Sequence, residues 1–264
     1  MRLDGQDFCE LRARAVDARQ MPCSQTQTWE KAPADPMHLL GVFAPALRLR
    51  AGWVLRGYRI SGGLGGRGLV YALPTDAPFP EPCACMKKVT ENHAVPRPPD
   101  AIAAYDADFA DVVENDGTPW SYACTSLFVR EARAFGEEWH AIVWGNRVLL
   151  VRDPSAPDAW EGLPAPPHQP SGIPLGGPPR MTWKPGDRDP PPRGWTLGAK
   201  AAPWPSDWRP EVIEEGNAVE VAFYLYSGHM MSRIWREVDR YARGSLRFQT
   251  REEHLAGGPP GFVY

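Results

Sequence analysis

The segment GGLGGRG, residues 62–68, concentrates glycine between two apolar runs, WVLRGYRI and LVYALP. Backbone N–H groups free of side chains can surround a phosphate, most often where a helix begins. The flanks argue against that use. No Gly-Lys-Ser/Thr ending follows the glycines, and LVYALP is strand-like where a dinucleotide loop would open a helix. The plainer expectation is a hairpin tip in which glycine supplies positive φ. Cys83-Ala-Cys85 with His93 offers sulfur and imidazole, but the spacing does not match the usual zinc pairs and a fourth ligand is missing, so no metal is expected. Cys124 and His140 could serve as nucleophile and base, provided they come within hydrogen-bond reach. A helix over 124–135 would hold its ends about 16 Å apart at a rise of about 1.5 Å per residue. The pair therefore requires a β-hairpin.

Three pieces in chain order carry a family resemblance: WVLRGYR (53–59), CTSLFVREARAFGEEW (124–139) and NAVEVAFYL (217–225). Together they resemble the arginine–serine–glutamate class of ADP-ribosyltransferases. That family places an arginine, often followed by glycine, on a first strand. A Ser-Thr-Ser-like strand then leads into a short helix with an Ala-x-x-Phe pattern, and a glutamate sits on a later strand. The resemblance implies NAD as the substrate, an acceptor that is a protein or nucleic acid, and the role of a toxin or effector. It assigns catalysis to Arg56, Ser126 and Glu220, and contacts with NAD to Arg56, Gly57, Thr125 and Phe135. Arg56 would grip phosphate or ribose oxygens with its fork of donors. Ser126 would position the arginine or the nicotinamide ribose. Glu220 would stabilise the positive charge that develops as the nicotinamide bond breaks. Trp53, Phe135 and Trp139 are rings that could stack on nicotinamide. Two departures stand out. Ala218 occupies the place of the second acid or glutamine, which leaves NAD hydrolysis or another acceptor open. A rival first motif, VPRPP around Arg97, carries His93 where cholera-toxin-like members have their catalytic arginine.

Other readings stand beside it. YRISGGLGGRGLVYAL followed by ACMKKV superficially resembles the glycine loop and phosphate lysine of protein kinases (Lys87 or Lys88), without the His-Arg-Asp and Asp-Phe-Gly segments. Cys124 with His140 resembles the dyad of cytotoxic-necrotizing-factor-class deamidases, with SYA in place of the residues that precede that thiol. The third class is a non-enzymatic interaction, assembly or immunity-type module.

The elements that must position these residues follow from periodicity. DFCELRARAVDARQ sets Phe8, Leu11, Ala15 and Val16 on one helical face. GWVLRGYRI and GLVYAL predict a β-hairpin. PPDAIAAYDADFADVV has a proline start that suits a helix. CTSLFVREARAFG has helical spacing and ends at Gly136, and EWHAIVWGNRVLLVRDP predicts two β-segments joined at Gly145-Asn146. AVEVAFYLY predicts a buried strand. HMMSRIWREVDRYARG predicts an amphipathic helix with Arg233, Arg236, Arg240 and Arg243 outward, a face for an acidic partner.

Of 264 residues, 43% are hydrophobic and 23% charged, with a net charge of -3, which excludes wholesale disorder and leaves no global basic footprint for nucleic acid. The five cysteines are an odd number and show no disulfide framework. With no signal peptide and no long apolar run, the expected location is cytoplasmic, or reached by a secretion route that needs no signal peptide, and no membrane contact is expected. More than half of the 30 prolines and nearly half of the 11 tryptophans lie in 154–210, which predicts a long docked insertion. The expected fold is α+β, a single domain over 1–264 with mainly antiparallel twisted sheets flanked by short helices.

Overall fold

The computed structural model describes residues 1–22, 28–60, 65–82, 109–139, 144–155, 202–228 and 231–260. The fold is α+β with mainly antiparallel sheets and short helices. In chain order the elements are α1 (Gly5–Arg19), β1 (Glu30–Lys31), α2 (Pro36–Val42), β2 (Leu47–Leu49), β3 (Trp53–Ile60) and β4 (Gly65–Pro74). There follow α3 (Phe109–Val112), β5 (Val113–Asn115), α4 (Pro119–Arg133), β6 (Glu138–Trp139) and β7 (Arg147–Leu150). Last come β8 (Glu211–Glu215), β9 (Ala218–Ser227), β10 (Met231–Ala242) and β11 (Phe248–Pro260). Among the described residues no helix is long and apolar enough to cross a membrane. The body of the 154–210 stretch lies outside the described residues, as does most of the helix expected from Pro98.

The chain forms two compact units. One comprises Met1–Glu10, Gly145–Arg243 and Phe248–Tyr264; the other comprises Leu11–Trp144 and Gly244–Arg247.

The first unit is built on a sheet of order β11-β10-β9-β7, with β8 also pairing β9. Its central strand is buried on both faces. Successive side chains of a strand point to opposite sides. Tyr224 and Tyr226 therefore join Trp208, Leu150, Ile234 and Leu255 on one face. Phe223, on the other, meets Phe8 of α1 with ring centroids 5.8 Å apart.

The helix expected over HMMSRIWREVDRYARG is instead strand β10, paired with β9 and β11 along its length. Ile234 and Val238 serve one buried face of the sheet, and Trp235 and Tyr241 the other. When both faces need apolar residues, the period-2 signal blurs and can mimic helical spacing. The four arginines do not form a free basic stripe. Arg233 pairs with Glu252, Arg236 with Glu211 and Glu253, Arg240 with Glu220, and Arg243 with Glu214.

The second unit holds the predicted hairpin. β3 and β4 pair antiparallel, from Trp53 opposite Pro74 to Ile60 opposite Arg67. β1 lies on the outer side of β3 and β6 beside the start of β4. α4 begins at a well-formed cap, with the Thr118 side chain accepting from the Ser121 N–H and Pro119 in the first turn. Past its end, Gly136 has φ +71°, the left-handed conformation that favours glycine. Among the described residues, the two segments expected to join at Gly145-Asn146 do not pair with each other. β6 pairs with β4, whereas β7 pairs with β9, because the chain passes from one unit to the other at this point.

Candidate functional site

Arg56 sits at mid-strand on β3, opposite Tyr71 of β4. The pleat gives the hairpin two different faces. Leu55, Gly57, Val70 and Ala72 are buried on one. There the Phe135 ring lies so close to Gly57 that a Cβ would fall 2.6 Å from its Cε1. Arg56 is on the other face with Val54, Tyr58 and Ile60, opposite Leu73, Tyr71, Leu69 and Arg67. The pleat thus sends Arg56 and Phe135 to opposite sides of the strand. Phe135 is fully buried and its ring packs on the hairpin, leaving it no surface to stack on a nicotinamide.

The middle motif forms a different element from the one the resemblance implies. Thr125 and Ser126 lie inside α4, not on a strand, and both are fully buried. The Thr125 hydroxyl donates to the Ser121 carbonyl at 2.8 Å, and the Ser126 carbonyl accepts from Arg130 Nη1 at 2.9 Å. Apolar residues on nearly every side of Cys124-Thr125-Ser126-Leu127 explain the burial, and Pro119 with Thr118 explains why the helix starts upstream.

Glu220 does lie on a later strand, β9, but in the other unit from Arg56 and Ser126. It is 8% exposed and accepts from Arg240 Nη1 at 3.0 Å, with the Arg251 guanidinium at 3.5 Å. It closes a ribbon of alternating charge that runs Arg2, Glu211, Arg236, Glu253, Arg251, Glu220. To stabilise a developing cation it would first have to give up these arginines.

Cys124 is buried in α4, and desolvation pushes its thiol up to about 12. A reactive thiol needs the opposite shift. His140, Cys83, Cys85, His93, Lys87, Lys88, Arg97 and the residues Gly62–Leu64 of the glycine segment lie outside the described residues. Trp53 is half-buried on β3, and Trp139 belongs to β6. Among the described residues no group of three or more His, Cys, Asp or Glu is placed to hold a metal ion.

No family model, curated protein or solved structure matches the chain.

The face that carries Arg56 is the more informative site. Val54, Ile60, Leu69, Tyr71 and Phe79 are only partly buried there, packed on a core of Trp29, Tyr58 and Leu73. The Arg56 guanidinium lies 5.8 Å from the Phe79 ring centroid and Lys31 Nζ lies 4.9 Å from it. Lys31 is neutralised by Glu81. Among the described residues, neither Arg56 nor Arg67 has a carboxylate partner, and both are half-buried. The Tyr71 hydroxyl is buried without a hydrogen-bond partner, and burial holds it protonated far above the ordinary tyrosine range. The alternation R-x-Y-x-I on β3 and R-x-L-x-Y on β4 was the signal for this face in the sequence. It becomes legible only once the register sets Ile60 against Arg67 and Arg56 against Tyr71.

Proposed function

We propose that the chain is a protein-interaction module whose β3–β4 face receives an acidic, apolar-bearing segment of a partner protein. The observation that carries this reading is the pair of half-buried arginines, Arg56 and Arg67, without carboxylate partners among the described residues and set beside a strip of partly buried apolar side chains. A guanidinium that has lost part of its water gains more from a carboxylate than one in open solvent. Arginine and aromatic side chains are also the types enriched at interface cores. The apolar strip adds about 25 cal/mol for each Å² it buries against a partner. Acid on the partner gives register, and the apolar residues give affinity.

A fluorescent ten-residue peptide alternating glutamate with leucine and phenylalanine is the probe. Wild type is expected to bind it in a salt-sensitive manner and to ignore the same peptide with lysine for glutamate. Arg56→Glu/Arg67→Glu should weaken binding at least tenfold, about 1.4 kcal/mol. Equal affinity in the variant, or equal binding of the lysine peptide, rejects the reading.

The second reading is the NAD-consuming transferase. In its favour are an arginine on a first strand followed by glycine and a glutamate on a later strand. Against it weigh the burial of Thr125, Ser126 and Phe135 and the arginine clamp on Glu220. Incubation with NAD is expected to release no nicotinamide with wild type. Release that is abolished by Glu220→Gln would establish the transferase in place of the interaction module.

A further inference from the structure

A second site lies within the Leu11–Trp144 unit, away from the hairpin. A cleft of about 610 Å³ opens along the β2–β5 ladder and the Gly244–Arg247 turn. That volume is in the range of small-molecule sites. The hydrogen-bonding inventory of its walls is unbalanced. Arg48 and Glu114 are cross-strand partners, joined by a 3.1 Å contact from Arg48 Nε. The same carboxylate also serves Arg50, whose Nε is 3.6 Å away. Two guanidinium groups thus share one acid, and their side chains are 77% and 53% exposed.

The other acids of the cleft are already committed. Asp111 accepts the fork of Arg247 at 2.7 and 2.6 Å, which holds its carboxyl below the usual range and keeps it ionised at neutral pH. Asp116 accepts from the Thr118 N–H at 2.9 Å and its hydroxyl at 2.6 Å. Asn115 adds a further donor. Its Oδ1 accepts from the Gly117 N–H at 3.3 Å, which fixes the orientation of the amide. The Nδ2 is then buried with no partner. A buried donor left unmade is costly, so an acceptor that reaches it is favoured. Along this wall the unspent groups are guanidinium and amide N–H donors.

We infer that the cleft binds a small oxyanion, a phosphate or carboxylate group taken between Arg48 and Arg50 beside Asn115. The ion pairs to Glu114 are solvent-exposed and individually weak, and Arg50 Nη2 keeps its separate bond to the Asp111 carbonyl at 3.0 Å, so an entering oxyanion can replace Glu114 at little cost. The planar guanidinium fork suits either anion.

The experiment is a titration of the full chain with sodium phosphate at constant ionic strength, following the backbone amide signals of Gly117 and Gly244 by NMR. A parallel titration uses sodium acetate. Saturable shifts are expected with wild type, and the stronger of the two anions identifies the ligand class. Arg48→Gln/Arg50→Gln, exposed positions that leave the fold intact, should weaken the midpoint about tenfold through lost charge-assisted bonds. Arg243→Gln, an exposed arginine in the other unit, should leave it unchanged. Shifts that never saturate, a midpoint unchanged in the double variant, or a response to magnesium chloride in place of the anions would overturn the inference.

Discussion

Glu131→Ala is expected to lower the unfolding free energy by about 3–5 kcal/mol, the range for breaking a buried ion pair by removing one partner. Glu131 lies in α4 with no exposed surface. Its Oε1 accepts from Arg12 Nε at 3.3 Å and from the Trp144 indole N–H at 2.5 Å, and its Oε2 accepts from Arg19 Nε at 2.6 Å. Both arginines are buried. They are further held by carbonyls, Arg12 Nη2 donating to Trp144 at 3.0 Å and Arg19 Nη1 donating to Ala134 at 2.8 Å. The Trp144 ring lies under the Arg12 guanidinium, 4.5 Å from it. Deleting the carboxylate would leave two like charges in a low-dielectric interior, and Arg19 Nη2 already lacks a partner. Glu131→Gln keeps an acceptor but not the charge, so its loss should be smaller than that of alanine yet still above 1 kcal/mol. The check is the urea midpoint by circular dichroism at constant m-value. Combining Glu131→Leu with Arg12→Met and Arg19→Met removes all three charges and should recover much of the loss. A single-variant cost within experimental error of zero would show that the cluster contributes nothing to stability.

The second large effect is expected at Gly68, where alanine should cost about 3 kcal/mol, the upper end for forced overpacking. A Cβ there would lie 2.2 Å from the Phe135 carbonyl oxygen and 2.7 Å from its carbon. These are backbone atoms, and no rotamer change relieves them. Gly136, next in the chain, cannot swing away freely, because a Cβ at that site would itself meet Gly68 within 3.1 Å. Gly57→Ala makes a useful contrast. Its clash is with the Phe135 ring, at 2.6 Å from Cε1, and a smaller residue at 135 removes the obstacle. In double-mutant cycles, Gly57→Ala with Phe135→Ala should therefore couple by 1 kcal/mol or more, whereas Gly68→Ala with Phe135→Ala should be close to additive (couplings of about 0.5–3 kcal/mol are typical of residues in contact). Coupling at both sites, or at neither, would mean that the two close approaches do not differ in kind.

These glycines bear on what the stretch around GGLGGRG is for. Its hairpin role holds for the described part, since β3 and β4 pair in register up to Ile60 and Arg67. Gly68, at its end, is required by the close approach of the Phe135 backbone. Likewise Gly57, the residue that helped suggest an NAD-binding strand, is small because a phenylalanine ring rests on it.

Local patterning was enough for several elements. α1, the β3–β4 hairpin, the helical run through Leu127–Ala132 and the buried strand β9 were each legible from apolar spacing and turn residues. Together they yield the α+β class. Those signals depend on neighbours a few positions apart, and a single chain carries them in full. β10 escaped because its two faces are both buried, which hides the alternation on which a strand is recognised. Whether Thr125 and Ser126 would sit on a strand or a helix turned on a cap seven residues upstream of Thr125, not on the motif itself. The charges were the least legible of all. Nothing near Glu131 marks it as the centre of a buried cluster, since Arg12 is 119 positions away and Arg19 112. The arginines of β10 read as a free basic face until the sheet brought glutamates beside them, and Arg48 of β2 and Arg50 just past it became a surplus of donors only when β5 supplied a single acid for two. Residue types and local periods are written in the order of the chain. Which charge meets which is settled by long-range pairing, and that same pairing left Arg56 and Arg67 on one hairpin face with no acid beside them among the described residues.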